Sequence, residues 1–96
     1  MRLSALQRYI LRDSYLQRRD RVPRQPFLKF YRTAKPRHMM VETVTKSLER
    51  LIDRGLMIGY GRRTPKKWFI DEVALTPLGR GTARKLLGQQ QKLPFL

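Results

Sequence analysis

The sequence predicts a mainly α-helical α+β domain, in which a third helix runs straight into a β-hairpin and a further helix closes the chain. Three observations carry that expectation. Val41, Val44, Leu48, Leu51 and Ile52 recur at i, i+3, i+7, i+10 and i+11, the repeat of one helix face. Gly55 follows directly, the residue type that most easily takes the left-handed conformation ending a helix. Two stretches rich in β-formers, Leu56–Tyr60 and Trp68–Leu75, then flank GRRTPKK, which holds Gly, Pro and four cations.

Taken in order, residues 3–17 place Leu3, Leu6, Ile10, Leu11, Tyr15 and Leu16 at helical spacing, with Arg8, Arg12 and Asp13 on the wet side. QRRDRVPRQP breaks that helix with charge and two prolines. Residues 25–32 (QPFLKFYR) read as a short second helix, with Pro26 in its first turn and Phe27, Leu28 and Phe30 or Tyr31 turned inward. TAKPRHM reads as a loop. The third helix is expected from about residue 40 to 54, with Glu42 in its first turn and Arg54 in its last, as the helix dipole favours. The hairpin occupies about residues 56–75. Thr76-Pro77 supplies an N-cap and a first-turn proline for a last helix over about 77–88, with Leu78, Ala83, Leu86 and Leu87 as its apolar positions. The order helix, helix, helix, strand, strand, helix, within a single domain spanning 1–96, is the outline of a winged helix-turn-helix.

Composition narrows the partner. Ninety-six residues make one domain with a modest core, and dimerisation is a common way to bury more. Twenty-two Lys and Arg against seven Asp and Glu give a formal +15, an excess that opposes compaction and calls for a polyanion. Composition favours nucleic acid over an acidic membrane and does not separate DNA from RNA. The absence of cysteine excludes disulfides and thiolate chemistry. His38, the single histidine, has no companion at ligand spacing, so neither metal nor cofactor is expected. No signal-like or membrane-spanning run is present, so a soluble, cytoplasmic protein is expected. Enzymatic signatures are missing too. Gly59 and Gly61 precede no helix start, Ser4, Ser14 and Ser47 have no histidine partner, and strand alternation would send Asp71 and Glu72 to opposite faces.

The stretch TVTKSLERLIDRGLMIGYG (Thr43–Gly61) resembles the recognition helix and first wing strand of MarR- and PadR-type winged-helix regulators. Thr43-Val44, Leu48, Leu51 and Gly55-Leu56-Met57 fill that pattern in register. ALTPLGRGTARKLL (Ala74–Leu87) is similar to the Leu-Thr-x-x-Gly-Arg that closes the wing and opens the last helix. The resemblance implies a basic transcription regulator, repressor or activator, acting on double-stranded DNA as a homodimer. The second-helix segment departs from the family pattern, being aromatic, basic and proline-bearing, so a longer turn into the third helix is expected.

Carried over residue by residue, the resemblance puts the face of the third helix opposite its apolar stripe into the major groove. That face is Glu42, Thr43, Thr45, Lys46, Glu49 and Arg50, with Arg37 and His38 just before it. Thr45 and Lys46 are the expected base or phosphate contacts, while Glu49 and Asp53 are expected to point away from phosphate. Arg62, Arg63, Lys66 and Lys67 form a basic wing tip suited to phosphates or a minor groove. Trp68 is expected to pack against the domain, with Tyr60 as its cross-hairpin neighbour. The cluster Arg18, Arg19, Arg21 and Arg24 is left open between flanking DNA, an acidic partner and solvent. Dimer contacts are expected from the first and last helices and the tail residues Leu93, Pro94, Phe95 and Leu96. No small-molecule effector site is evident. Two other functions fit the same residues: an RNA-associated, ribosome-like winged helix, and a protein-interaction module of this fold.

Overall fold

The computed structural model describes residues 2–30 and 36–91, with Arg37 and residues 89–91 described at the backbone only. The first helix, α1 (Ala5–Gln17), opens on a capping box. Ser4 Oγ accepts from the Gln7 amide at 3.1 Å, and Gln7 Oε1 accepts from the Ser4 amide at 2.9 Å. It ends at Arg18, whose φ of 52° turns the chain out of the helix. Leu6, Ile10 and Leu11 are buried as the periodicity predicts, whereas Leu16 is 62% exposed. At roughly 100° per residue Leu16 lies far around the helix from Ile10, so it falls off the stripe.

Residues 22–30 differ from the sequence expectation. Val22–Pro23 form a short strand, β1, and Gln25–Phe30 form a 3-10 helix instead of an α-helix. The Phe27 amide bonds the Arg24 carbonyl three residues back at 3.1 Å, the tighter repeat that short segments adopt. Phe27 is fully buried, and Leu28 and Phe30 pack on the core as expected. Tyr31 and residues 33–35 of the expected TAKPRHM loop lie outside the described residues, and its last three residues, Arg37, His38 and Met39, are helical instead.

The third segment is α2 (Arg37–Asp53), which starts three residues earlier than the periodicity suggests. Pro36 is its N-cap, and the Pro36 carbonyl receives the amides of Met39 and Met40. A proline costs little there, because the opening residues of a helix have no carbonyl to bond. Glu42 therefore sits in the second turn. The far end is a Schellman cap: Gly55, at φ 76°, bonds back to Ile52 and Leu56 bonds back to Leu51, at 2.9 and 3.0 Å.

Strands β2 (Met57–Arg63) and β3 (Trp68–Leu75) form the expected hairpin, and β1 adds to the free edge of β3, giving the order β1-β3-β2. Tyr60 pairs with Glu72 and Gly61 with Ile70, which leaves Asp71 as an extra residue on β3. The bulge explains how Ile70 and Val73, an odd number apart, are both buried. It also overrides the strict alternation expected of Asp71 and Glu72. The last helix, α3 (Pro77–Gln91), packs against α1.

One junction ties these pieces together. The Thr76 amide donates to the Leu56 carbonyl at 3.1 Å. The Thr76 hydroxyl donates to the Gly55 carbonyl at 2.6 Å and accepts from the Gly79 amide at 3.0 Å. Gly79 is glycine because a Cβ there would overlap the Leu56 carbonyl oxygen. The end of α2, the start of β2 and the start of α3 thus meet over buried Leu51, Leu56 and Met57. Gly79→Ala should destabilise the fold by about 1–3 kcal/mol, the usual cost of overpacking. Gly81→Ala, two residues along the same helix with open space around it, should stabilise it by about 0.5–1 kcal/mol. Urea denaturation midpoints of the two variants check both signs.

Candidate nucleic-acid interface

The apolar stripe of α2 faces the core, with Val44, Leu48 and Leu51 fully buried, so the opposite side of the helix is presented outward. The inner face of the hairpin rises beside it. Met57, Gly59, Gly61 and Arg63 alternate onto that face and pair with Leu75, Val73, Ile70 and Trp68. Between helix and hairpin runs an open groove of about 1150 Å³. Its helical wall carries His38, Glu42, Thr45, Lys46, Glu49 and Asp53, and its wing wall carries Arg63, Lys66, Lys67 and Trp68.

Trp68 sets the spacing of these walls. Its ring and the Ile52 side chain both crowd Gly59, so close that a Cβ there would stand 2.9 Å from Trp68 Cζ2 and 2.7 Å from Ile52 Cδ1. The packing role expected for Trp68 is therefore what the structure shows. Its cross-strand partner is Arg63, whose guanidinium carbon sits 4.8 Å from the ring centroid. Tyr60 is not that partner. It faces the other side of the sheet opposite Glu72, beneath the Arg21 guanidinium at 3.8 Å, and Arg21 also reaches Glu72 at 4.0 Å.

The wing tip is held by Thr64. Its amide and hydroxyl both donate to the Lys67 carbonyl, at 2.7 and 2.9 Å, and its hydroxyl accepts from the Lys67 amide at 3.0 Å. This closed turn projects exposed cations on both sides of the hairpin. Arg63 and Lys66 border the groove, while Arg62 pairs across the strands with Phe69 on the outer face, 5.8 Å from its ring. Lys67 lies 5.3 Å from the same ring. Thr64 and Pro65 are the residues at which the sequence would turn the chain, and the Thr64 hydrogen bonds are what close that turn.

The helix residues named from the sequence do not form one set. Glu42 and Lys46 are exposed, 3.9 Å apart, and border the groove with His38. Thr43 and Arg50 are exposed on the flank away from the wing, and the Thr43 hydroxyl donates to the Met39 carbonyl at 2.9 Å. Thr45, expected as a contact, is 8% exposed and donates its hydroxyl proton to the Val41 carbonyl at 2.8 Å. It is part of the groove floor, because it lies one step from the buried stripe. The Arg37 side chain lies outside what is described. Glu49 and Asp53, expected to turn away, border the groove and form no ion pair among the described residues. Arg24 joins the same groove just after β1, its backbone N–H donating a hydrogen bond to the Asp71 carbonyl at 3.1 Å. Arg24 is the one member of the Arg18, Arg19, Arg21 and Arg24 cluster that lines the groove.

Among the described residues no group of three His, Asp or Glu could hold a metal ion. None of the described helices is long and apolar enough to cross a membrane.

This architecture is a winged helix-turn-helix. No protein-family model and no curated protein sequence matches the chain. Two solved structures share its fold. The adhesin competence repressor AdcR of Streptococcus pyogenes superposes with a TM-score of 0.66 at 18% identity, over 95% of this chain and 60% of AdcR. A doubly substituted mutant of Lactococcus lactis ZitR gives a TM-score of 0.66 at 17% identity, over 96% of this chain and 56% of that one. The chain thus spans a little over half the length of each.

Because the half-buried Trp68 ring packs against Gly59 at the foot of the wing, Trp68→Ala should lower stability by about 2 kcal/mol, below the roughly 3–5 kcal/mol of a fully buried aromatic. Amide exchange should quicken in residues 57–63 and 68–75 before it does in α1, a contrast that hydrogen-exchange mass spectrometry resolves.

Proposed function

We propose that the chain is a sequence-selective double-stranded DNA-binding protein, a small transcriptional repressor or activator without enzymatic activity. The observation that carries this reading is the shared groove. The N-terminal half of α2 and the basic wing tip stand side by side on one surface, at a spacing set by the Thr76 junction and the Trp68 ring. Such an arrangement suits a helix in the major groove with the hairpin laid along adjacent phosphates or into a minor groove. The charge of +15 supplies the sequence-independent attraction. AdcR, of the same fold, is a repressor by name.

In this reading Lys46 and Glu42 meet base edges, with His38 and Arg37 at the leading end of the helix. Arg50 and Thr43 lie toward one flanking backbone, and Arg62, Arg63, Lys66 and Lys67 toward the other. Thr45 is left out as a direct contact, since its hydroxyl proton is committed to Val41. A homodimer through α1, α3 and the tail would place two such surfaces about one helical turn apart on a near-palindromic site. Leu16 on α1 and Leu78 on α3, 62% and 57% exposed, support that interface. A cytoplasmic location goes with the same reading.

Lys46→Ala should weaken binding to a selected duplex by roughly 10- to 100-fold, about 1–3 kcal/mol for one lost base contact. Arg63→Ala with Lys66→Ala should instead lower affinity for all duplexes alike and reduce the slope of log K against log salt by roughly 0.9 for each phosphate no longer neutralised. Fluorescence anisotropy across a salt series separates the two classes. A flat preference for structured RNA over duplex DNA in competition would overturn the regulator reading, and Thr45→Val should leave duplex affinity within about twofold.

A further inference from the structure

We propose that Glu42 and Lys46 act as one unit that reads a single G·C base pair, the carboxylate accepting from the cytosine N4 amino group and the ammonium donating to guanine. This rests on α2 entering the major groove. The chain has only seven acidic residues, and three of them, Glu42, Glu49 and Asp53, border the groove between α2 and the wing. A carboxylate carried toward a polyanion is repelled unless it meets a donor, and the major-groove edge offers one only at cytosine N4 or adenine N6.

Glu42 is the acid placed to do this. Its side chain is 63% exposed, in the second turn of α2, with its Oε1 3.9 Å from Lys46 Nζ. Residues four apart on a helix stand one above the other on the same face. The pair therefore presents an acceptor and a donor side by side, facing outward, at a separation close to that of neighbouring groups on one base edge. A surface ion pair this exposed contributes little to stability, so folding alone gives it little purpose.

The choice between the two base pairs follows from the order of their edges. A G·C edge reads N7 acceptor, O6 acceptor, N4 donor, which seats a lysine on the two guanine acceptors and a carboxylate at the end. An A·T edge reads N7 acceptor, N6 donor, O4 acceptor and then the thymine methyl. There the carboxylate would lie between two acceptors and the ammonium would keep only one. Guanine next to cytosine satisfies both charges, and adenine with thymine does not.

The test is selection of bound duplexes from a random pool, followed by affinity measurements on the full chain. The wild type should fix one G·C pair in each half-site, and replacing that pair by A·T should weaken binding by about tenfold or more. Glu42→Ala should reduce that discrimination by about threefold or more, to what Lys46 alone keeps for the two guanine acceptors, while binding mixed-sequence duplex more tightly because a repelled carboxylate is gone. Glu42→Gln should shift the preferred pair toward A·T, since a glutamine amide matches adenine N6 and N7. Thermal midpoints within a few degrees of wild type would show that the exposed substitutions keep the fold. An unchanged preference in Glu42→Ala, with duplex binding intact, overturns this inference and leaves the DNA reading standing. Failure of the wild type to bind any duplex overturns both.

Discussion

The geometry of this molecule depends on the junction where α2 turns into β2. Carbonyl and amide groups there would be left without partners by the change of direction, and one residue, Thr76, satisfies them from the far end of the hairpin. Because Thr76 also starts α3, the same hydroxyl links the exit of one helix to the entry of another. Gly55 supplies the left-handed turn, and Gly79 supplies the space for the Leu56 carbonyl to approach. The angle between α2 and the wing is fixed by hydrogen bonds and by sterics before any ligand is present. That arrangement lets a small domain with a thin core present α2 and the wing as one surface.

A second constraint acts from the opposite side of the sheet. The Arg21 guanidinium covers Tyr60 and meets Glu72, and β1 adds two residues to the edge of β3. Backbone pairing, stacking and a weak exposed ion pair thus hold the chain after α1 to the base of the hairpin. With Trp68 filling the inner face, the hairpin is braced on both sides at its base while its Thr64 turn reaches into solvent. Cations are concentrated where the bracing ends, and the acidic residues of α2 border the groove behind them. The charge pattern is therefore directional instead of uniformly basic, and a directional pattern is what discrimination between duplex sequences needs.

Much of the fold is legible in the sequence because its strongest signals are local. The α2 stripe, the Gly55 cap and the Thr76-Pro77 start each announce themselves within a few residues, and the structure has all three. The Leu-Thr-x-x-Gly-Arg resemblance acquires a physical cause here, since its threonine and glycine are the two residues that close the junction. What the sequence does not reveal depends on distant partners. The strand at Val22–Pro23 exists only because β3 offers an edge, and the bulge at Asp71 exists only in the register of the pair. Thr45 reads as outward-facing from sequence because its position, one step off the buried stripe, differs from an exposed one by a rotation that residue type does not report. Tyr60 and Trp68 do not pair for a similar reason, as the register and the parity of the strand put them on opposite faces.

Whether α2 and the wing engage one duplex as a single surface is tested most directly by an amide-resolved NMR titration with a selected duplex. A single preorganised surface predicts that signals from residues 38–50 and 62–67 shift together with one apparent affinity. Those of Thr76 and Gly79 should stay nearly fixed, because the junction does not rearrange. Shifts confined to the outer sheet face around Ile58 and Phe69, or separate affinities for helix and wing, would contradict it.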